Sequence, residues 1–298
     1  MHVIADFFGN ISSGQRTLIL ASGFVLMWMV ESLIPLIKNV RYKYGHTGIN
    51  LFFTLTTLIV NFFFAVLLVK ASDFTTQHHF GILYQVALPM WLHALLAFML
   101  LDLIGAYLIH YIEHQVKWMW KFHIIHHTDP HINATTALRH HPGESVFRAV
   151  FAILATMVAG APIWVVMLYQ SSSALLSQFN HANIRLPKWL DNFIQLIIVS
   201  PDMHKVHHHS IMPITDTNYG NIFSIWDRIF RTFMKMDISE IEYGLDTHPE
   251  DDAHSFLPRL LKIPFEKYRP PVGSKFGSSG NKNHEQKQVI PAGRLPQD

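Results

Sequence analysis

Apolar positions in this chain are gathered into long blocks rather than spread with an amphipathic period. The first block runs from about Thr17 to Ile37 and is broken only by Glu31. A second runs from Gly48 to Val69, and a third from Tyr84 to Ile109, carrying His93 and Asp102. Each reaches the roughly 20 residues that a helix needs to cross the hydrocarbon of a bilayer, so three spans are predicted. The stretch Val146 to Tyr169 reads differently, because its middle is Val158-Ala159-Gly160-Ala161-Pro162, a turn sequence. A single span and a hairpin (Glu144–Ala159 inward, Pro162–Phe179 returning) both fit. The hairpin is preferred because it brings His181 back to the membrane face that the chain leaves at His141.

Trp189 to Val199 is too short to cross and reads as an interfacial helix. From Ser200 to about Tyr268 the chain is polar and belongs to a water-facing cap; beyond Pro270-Pro271, Gly, Ser, Asn, Gln and Lys predict a disordered tail. The expected fold is therefore all-α: an integral membrane helical bundle of three spans plus a helical hairpin, with a cytosolic histidine-rich cap. The expected divisions are an N-terminal transmembrane region (1–95), a catalytic region (96–240) and a C-terminal segment (241–298). Residues 1–15 lack the basic start and cleavage site of a signal peptide. Lys38, Arg41 and Lys43 crowd the first loop, whereas Lys70 is alone in the second. The positive-inside rule then puts the first loop, and everything after Ile109, in the cytoplasm. Lys117, Lys121, Arg139 and Lys205 agree.

Composition changes this picture in two ways. Net charge is only +2 with no basic cluster, which gives no nucleic-acid footprint. Cysteine is absent, so thiolate metal sites and disulfides are excluded and any metal is held by nitrogen and oxygen. Histidine, by contrast, numbers 21, as many as Asp and Glu together, and 13 of these fall between His110 and His209.

Their spacing carries the chemistry. His110 and His114 are four apart; His123, His126 and His127 read HIIHH; His204, His207 and His208 read HKVHH. Separations of three and four share a helical face, so each box is expected to project its imidazoles in one direction. Neutral imidazole is a good ligand for iron, copper, zinc and nickel. Eight box histidines are twice what a tetrahedral zinc site uses. With one or two of His141 and His181 they suit two metals of five or six coordination. His140 and His209 extend runs on the wrong face and are expected outside the site. His131 is ambiguous, His93 is intramembrane but attached to no box, and His2, His46, His78, His79, His248, His254 and His284 read as ordinary surface residues. Asp102, two turns before His110 and inside a span, is the candidate catalytic or supporting carboxylate, placed to fix an imidazole tautomer. An interhelical hydrogen bond is its other reading. Glu144 and Asp202 are lesser supporting candidates, and Asp227 and Arg228 are expected to cap and brace the last cytosolic helix.

The boxes and the residues around them resemble the fatty acid hydroxylase/sterol desaturase superfamily over roughly residues 95–235. Asp102, Tyr107, His110 and His114 form the first element; Trp120, His123, His126 and His127 the second. Asn133, Thr136, Arg139, His141 and Pro142 follow, then Ser200-Pro201-Asp202 before the third box. Asn218-Tyr219-Gly220 and Trp226-Asp227-Arg228-x-Phe230-x-Thr232 complete the pattern. Arg231 departs from it, since members commonly have Gly there; a turn should change, not the metal site. The resemblance implies a helical membrane bundle with two irons at the cytosolic face, O2 as co-substrate, and hydroxylation or desaturation of a lipid C–H bond. Fatty acyl, sterol and related lipids all occur as substrates among relatives. Spacing in the first box favours hydroxylation. Two electrons must come from an external donor (a cytochrome, ferredoxin or reductase), because the chain has neither a dinucleotide fingerprint nor cysteines for an iron–sulfur cluster. Zinc binds imidazole more tightly than ferrous iron, so a non-catalytic membrane zinc protein fits the same residues. A transporter would hold its ligands near the bilayer midplane, whereas here they lie at span ends and in the cap.

Overall fold

The computed structural model describes residues 1–37 and 43–274. The loop positions Lys38 and Arg41, the tail beyond 274 and His284 lie outside the described residues. The described chain is helical, and contains no strand beyond two isolated bridges.

A short helix α1 (His2–Gly9) precedes α2 (Ser13–Leu33), whose start is fixed by a capping box: Ser12 accepts from the Gln15 N–H, and the Gln15 side chain reaches back to the Ser12 N–H. Next comes α3 (Lys43–Gln77), 35 residues long and well beyond the expected Gly48–Val69. Its extra turns carry Ser72 and Thr75, both buried. Ser72 donates to the Ala161 carbonyl and Thr75 to that of Ser72, so hydroxyls that lower the local hydropathy face protein rather than water. The third span is one helical run, Met90–Gln115, in three pieces. They are α4 (Met90–Asp102), a π-helical segment (Leu103–Leu108) with i→i+5 winding, and α5 (Ile109–Gln115). The first histidine box thus grows directly out of a membrane helix.

After α6 (Lys117–His127) and an irregular stretch, α7 (Pro142–Ala159) and α8 (Ile163–His181) form the predicted helix pair. Gly160, at φ +76, ends α7 in the left-handed region. A Cβ there would lie 2.8 Å from the Phe80 carbonyl oxygen, so the turn requires glycine. The chain reverses between the two helices: the rings of His140, just before α7, and His181, at the end of α8, both adjoin His126.

Four helical runs are long and apolar enough to cross a bilayer: Ser13–Leu33, His46–Gln85, Met90–Gln115 and Pro142–Ala159. The chain is a membrane helical bundle. In it α4 lies between α7 and α8, α3 covers α7, and α1 and α2 cover α8. Small residues (Ala97, Ala155, Ala159, Ala161) line the close approaches. Phe62 and Phe63 remain more than two-thirds exposed, an arrangement that suits lipid and not water. The cap comprises α6, α9 (Lys188–Ile194), α10 (Pro201–His207), α11 (Ile225–Ile229) and short turns after them. Trp189, Phe193, Leu196 and Ile197, where an interfacial helix was expected, are all exposed.

Candidate metal centre

Four helices bring the imidazoles together. His110 and His114 come from α5, His123, His126 and His127 from the end of α6, His204 and His207 from α10 with His208 as its C-cap, and His181 from the end of α8. These nine form two groups. His110, His114, His123, His127 and His207 make one; His126, His181, His204 and His208 make the other; within each group the nitrogens lie within 4.8 Å of one another. The groups adjoin, with the His127 and His208 ring centroids 4.7 Å apart.

The boxes are divided in a way that refines the one-face expectation. Every pair four apart (110/114, 123/127, 204/208) stays in one group, whereas the residue three after the start of each HxxHH, His126 or His207, crosses to the other. A step of three rotates the side chain about 60° short of a full turn and a step of four about 40° past it. One helix end can therefore serve two neighbouring centres.

In five of the nine rings the second nitrogen is anchored. His110 Nδ1 donates to the Tyr219 carbonyl (2.9 Å), His207 Nδ1 to that of Thr217 (2.7 Å) and His181 Nδ1 to that of Ser177 (2.7 Å). His123 Nδ1 donates to Glu144 (2.8 Å) and His114 Nδ1 to Asp216 (3.0 Å). Each such bond fixes the tautomer and leaves Nε2 with a lone pair. His110 and His123 therefore present two lone pairs to each other at an Nε2–Nε2 distance of 3.1 Å. As neutral rings they cannot hydrogen-bond there, and a shared cation is what such a pair suits. Other contacts repeat the spacing: His127–His123 and His181–His126 at 3.1 Å, His204–His181 at 3.0 Å. Ligand nitrogens at right angles around one ion, with bonds of about 2.1 Å, stand about 3 Å apart. The residues present fit a pair of metal ions. Burial pushes the imidazolium pKa values of His123, His126, His127, His204, His207 and His208 well below the ordinary range, and the neighbouring rings lower them further. The rings are thus neutral and ready to ligate at physiological pH.

Several expected roles fall elsewhere. His141 is outside both groups: its Nδ1 accepts the Gly143 N–H at 3.1 Å, capping α7, since its backbone is still extended where the helix begins. His140, expected to face away, stacks on His126 (centroids 4.8 Å apart) and donates from Nδ1 to Glu144. Asp102 touches no imidazole. It accepts from the Ile222 and Phe223 N–H groups and from Nε1 of Trp226 on α11, the interhelical hydrogen bond that was its other reading. The π winding between Asp102 and His110 changes their register and turns the carboxylate toward the 218–226 loop. Asp202 pairs with Lys205. Asp227 accepts from the Tyr219 and Gly220 N–H groups and from Thr232, bracing the loop that supplies the Tyr219 carbonyl, and burial raises its pKa to about 6. Arg228 donates to the Gln195 carbonyl and lies over the Phe233 ring. His209 takes the Glu242 N–H, and His93 bonds the Gly160 carbonyl. His46 and His248 are not surface residues: His46 pairs with buried Asp129 at 2.6 Å, and His248 is buried beside Thr247.

Other supports escaped the sequence reading. Glu113, buried next to His114, pairs with Arg148, which also pairs with Glu144; this network reaches His123 on its far side. Its signal was present as Glu144-x3-Arg148, an i,i+4 pair in an otherwise apolar helix. Asp216 carried none, because its partner is 102 residues away. Arg139, fully buried, donates to the Ile125 carbonyl and Thr128 at the end of α6 and to Asn50 on α3. It thereby holds the second box against a membrane helix.

Residues 94–232 match the fatty acid hydroxylase family. An ornithine lipid hydroxylase of Rhizobium tropici is 24% identical over 71% of this chain and 65% of its own length. Alkylglycerol monooxygenases of Danio rerio and Homo sapiens are each 31% identical, over 57% and 54% of this chain and 36% and 34% of theirs. The chain thus matches less than two-thirds of each relative's length. No solved structure matches it. Every histidine of the three boxes lies inside residues 94–232, the segment in which the chain is similar to the fatty acid hydroxylase family.

Proposed function

We propose that this chain is a membrane-bound di-iron oxygenase that hydroxylates an unactivated C–H bond of a lipid, with O2 as co-substrate and electrons from an external donor. The observation that carries the reading is the sorting of nine buried imidazoles into groups of five and four that share a border. The relatives named above, an ornithine lipid hydroxylase and alkylglycerol monooxygenases, support lipid hydroxylation. Two irons held there would supply O2 reduction and C–H oxidation. The five-histidine group takes one ion and the four-histidine group the other. Tyr219, Thr217 and Ser177 carbonyls with Glu144 and Asp216 carboxylates orient the rings. Burial keeps bulk water from the centre. Asp102 and Asp227 act at a distance, holding the 218–226 loop against the third span. In this reading the cap lies on the cytoplasmic face and the substrate arrives sideways from the bilayer.

The test uses full-length protein purified without oxygen. Two irons per chain are expected, and, with a lipid substrate, labelled O2 and a supplied donor, label should appear in an alcohol. His126→Ala should lower metal content to one and abolish product. Unlabelled product with a new double bond would replace hydroxylation by desaturation. Iron-loaded, reduced protein that turns over no lipid would overturn the reading in favour of a zinc-binding protein.

A further inference from the structure

The helix of the third box has two working faces. On α10 the rings of His204 and His207, with His208 at its end, point into the metal groups. Asp202, Met203 and Val206 take the opposite face by helical rotation, and they wall a cleft of about 260 Å³ in the cap. Asp191 of α9 and Gln195 after it form a second wall, and Met234, Met236 and Ile238 a third. The volume falls below the roughly 300–1,000 Å³ of small-molecule sites, so it suits side chains protruding from a partner protein. Its floor is apolar and rich in methionine, a side chain that adapts to what it meets. Its rim is polar, as at protein interfaces.

Charge at that rim decides the partner. Arg185, Lys188 and Lys235 are exposed around the opening, and Lys235 keeps its charge because its partner, Asn192, is neutral. The acids nearby are committed within the protein. Asp191 is buried and accepts from Gln195 and the Asp202 N–H, and Asp202 pairs with Lys205. Asp237 accepts the N–H and hydroxyl of Ser239 and, being exposed, offsets one of the three cations. The outward charge is therefore positive.

Two short routes lead from the cleft to the metal groups. Across α10 the opposite faces are about one helix diameter apart, roughly 10–12 Å, and His204 belongs to the group of four while His207 belongs to the group of five. The second route runs through Asn218. Its side chain bonds the Met203 and Met234 carbonyls and the Met234 N–H, and its chain neighbours supply the Thr217 and Tyr219 carbonyls that orient His207 and His110.

We propose that this cleft is the docking site of the external electron donor, and that the donor is an electron-transfer protein with an acidic face. The inference rests on the reading of the chain as an oxygenase and names the partner of its metal groups. Acidic side chains of the donor meet Arg185, Lys188 and Lys235, while an apolar group enters over Met203 and Val206. Each docking oxidises the donor by one electron. Two dockings supply the electrons that, with O2 and two protons, convert R–H to R–OH and water. Complexes of this kind are small and transient, and charge speeds their formation.

The experiment uses full-length protein in zwitterionic nanodiscs with two soluble probes, an acidic plant-type ferredoxin and the basic cytochrome c. Metal-free protein should bind ferredoxin and not cytochrome c. Ferredoxin binding should weaken at least about tenfold as salt rises from about 20 to 200 mM, because screening removes attraction between exposed charges. Carbodiimide, which joins carboxylates to lysines, should attach ferredoxin at Lys188 and Lys235. Arg185→Glu, Lys188→Glu and Lys235→Glu combined should weaken binding by about tenfold or more. Lys262→Glu with Lys267→Glu, in the C-terminal segment, should leave it unchanged. In iron-loaded protein without oxygen, the triple variant should accept electrons from reduced ferredoxin at least about tenfold more slowly. Photoreduced 5-deazariboflavin, small and neutral, should reduce both proteins alike, which shows that the variant keeps its metal groups. Cross-links elsewhere, binding indifferent to the triple reversal, binding of cytochrome c instead, or no ferredoxin binding at low salt overturns the proposal. None of these outcomes touches the oxygenase reading, which lipid turnover with the neutral reductant tests. Ferredoxin that binds and delivers electrons while no lipid is oxidised counts against that reading alone.

Discussion

The two histidine groups are neighbours with unequal support. In the group of five, His110, His114, His123 and His207 each have Nδ1 held by a carbonyl or carboxylate, and only His127 Nδ1 is buried without a partner. In the group of four, His181 alone is anchored in this way, and Nδ1 of His126, His204 and His208 is buried and unbonded. Ring orientation is thus imposed on one centre by backbone and carboxylates, and left on the other to packing. Anchored ligands hold metal more tightly, since losing such an outer bond costs roughly 10–100-fold in affinity. The better-anchored group is suited to a permanent ion. Its neighbour, with one ligand fewer and looser rings, is suited to the exchange of ligands that a reaction requires.

The strongest way to break this contrast is to delete a ligand from each group. His123→Ala removes a ring that also links to Glu144, and both ions are expected to be lost, because the group of four leans on the first through the His127–His208 contact. His204→Ala should cost one ion only. Metal counting on purified variants decides it, and equal losses from both variants would erase the asymmetry.

Acidification should separate the centres next. The folded-state pKa values of the box histidines outside the spans lie below the ordinary 6.5 because the rings are buried. In the metal-free protein the unfolded chain therefore takes up more protons, so stability is constant above about pH 6.5 and falls as pH drops through that value. In the loaded protein protons compete with metal, and the less anchored ion should leave first. A titration of bound metal from pH 7.5 to 5 should show two steps, the first removing one ion per chain. A single step removing both would contradict the contrast.

A smaller effect is expected from Asp216→Asn, which keeps a bond to His114 Nδ1 but weakens it by removing the charge. Affinity in the group of five should fall by about tenfold, with the group of four unchanged, as read by competition with a chelator. The smallest concerns Arg231, which sits at φ +60. The family's usual glycine is explained by that left-handed backbone, and Arg231→Gly should raise thermal stability by about 1 kcal/mol without altering metal content.

The same residues show how much the sequence could reveal. Block hydropathy marked the spans, and HxxxH and HxxHH spacing marked eight of the nine converging rings, because both are local signals of helix geometry. His181 belongs to no box and was an isolated candidate, and the hairpin was preferred because it returns that residue to the site. What local pattern could not reach was pairing across long separations: Asp102 with the 222–226 loop, Asp216 with His114, Asp129 with His46. His141 and His140 show the limit at its finest, since adjacent imidazoles exchange roles according to where α7 starts. The length of α3 was underestimated for a related reason, as hydroxyls bonded to protein look like water-facing residues in a hydropathy average.

The π winding at Leu103–Leu108 bears on how this chain tolerates insertions and deletions. On one side of it Asp102 grips the cap loop, and on the other His110 and His114 point into the five-histidine group. Losing one residue from this stretch would rotate those two commitments against each other by about 100°, so that one end could engage only if the other let go. Single-residue length changes here should thus be far less tolerated than apolar replacements that keep the count, although the segment looks, by composition, like any other stretch of membrane helix. Along this span the number of residues is itself a functional property.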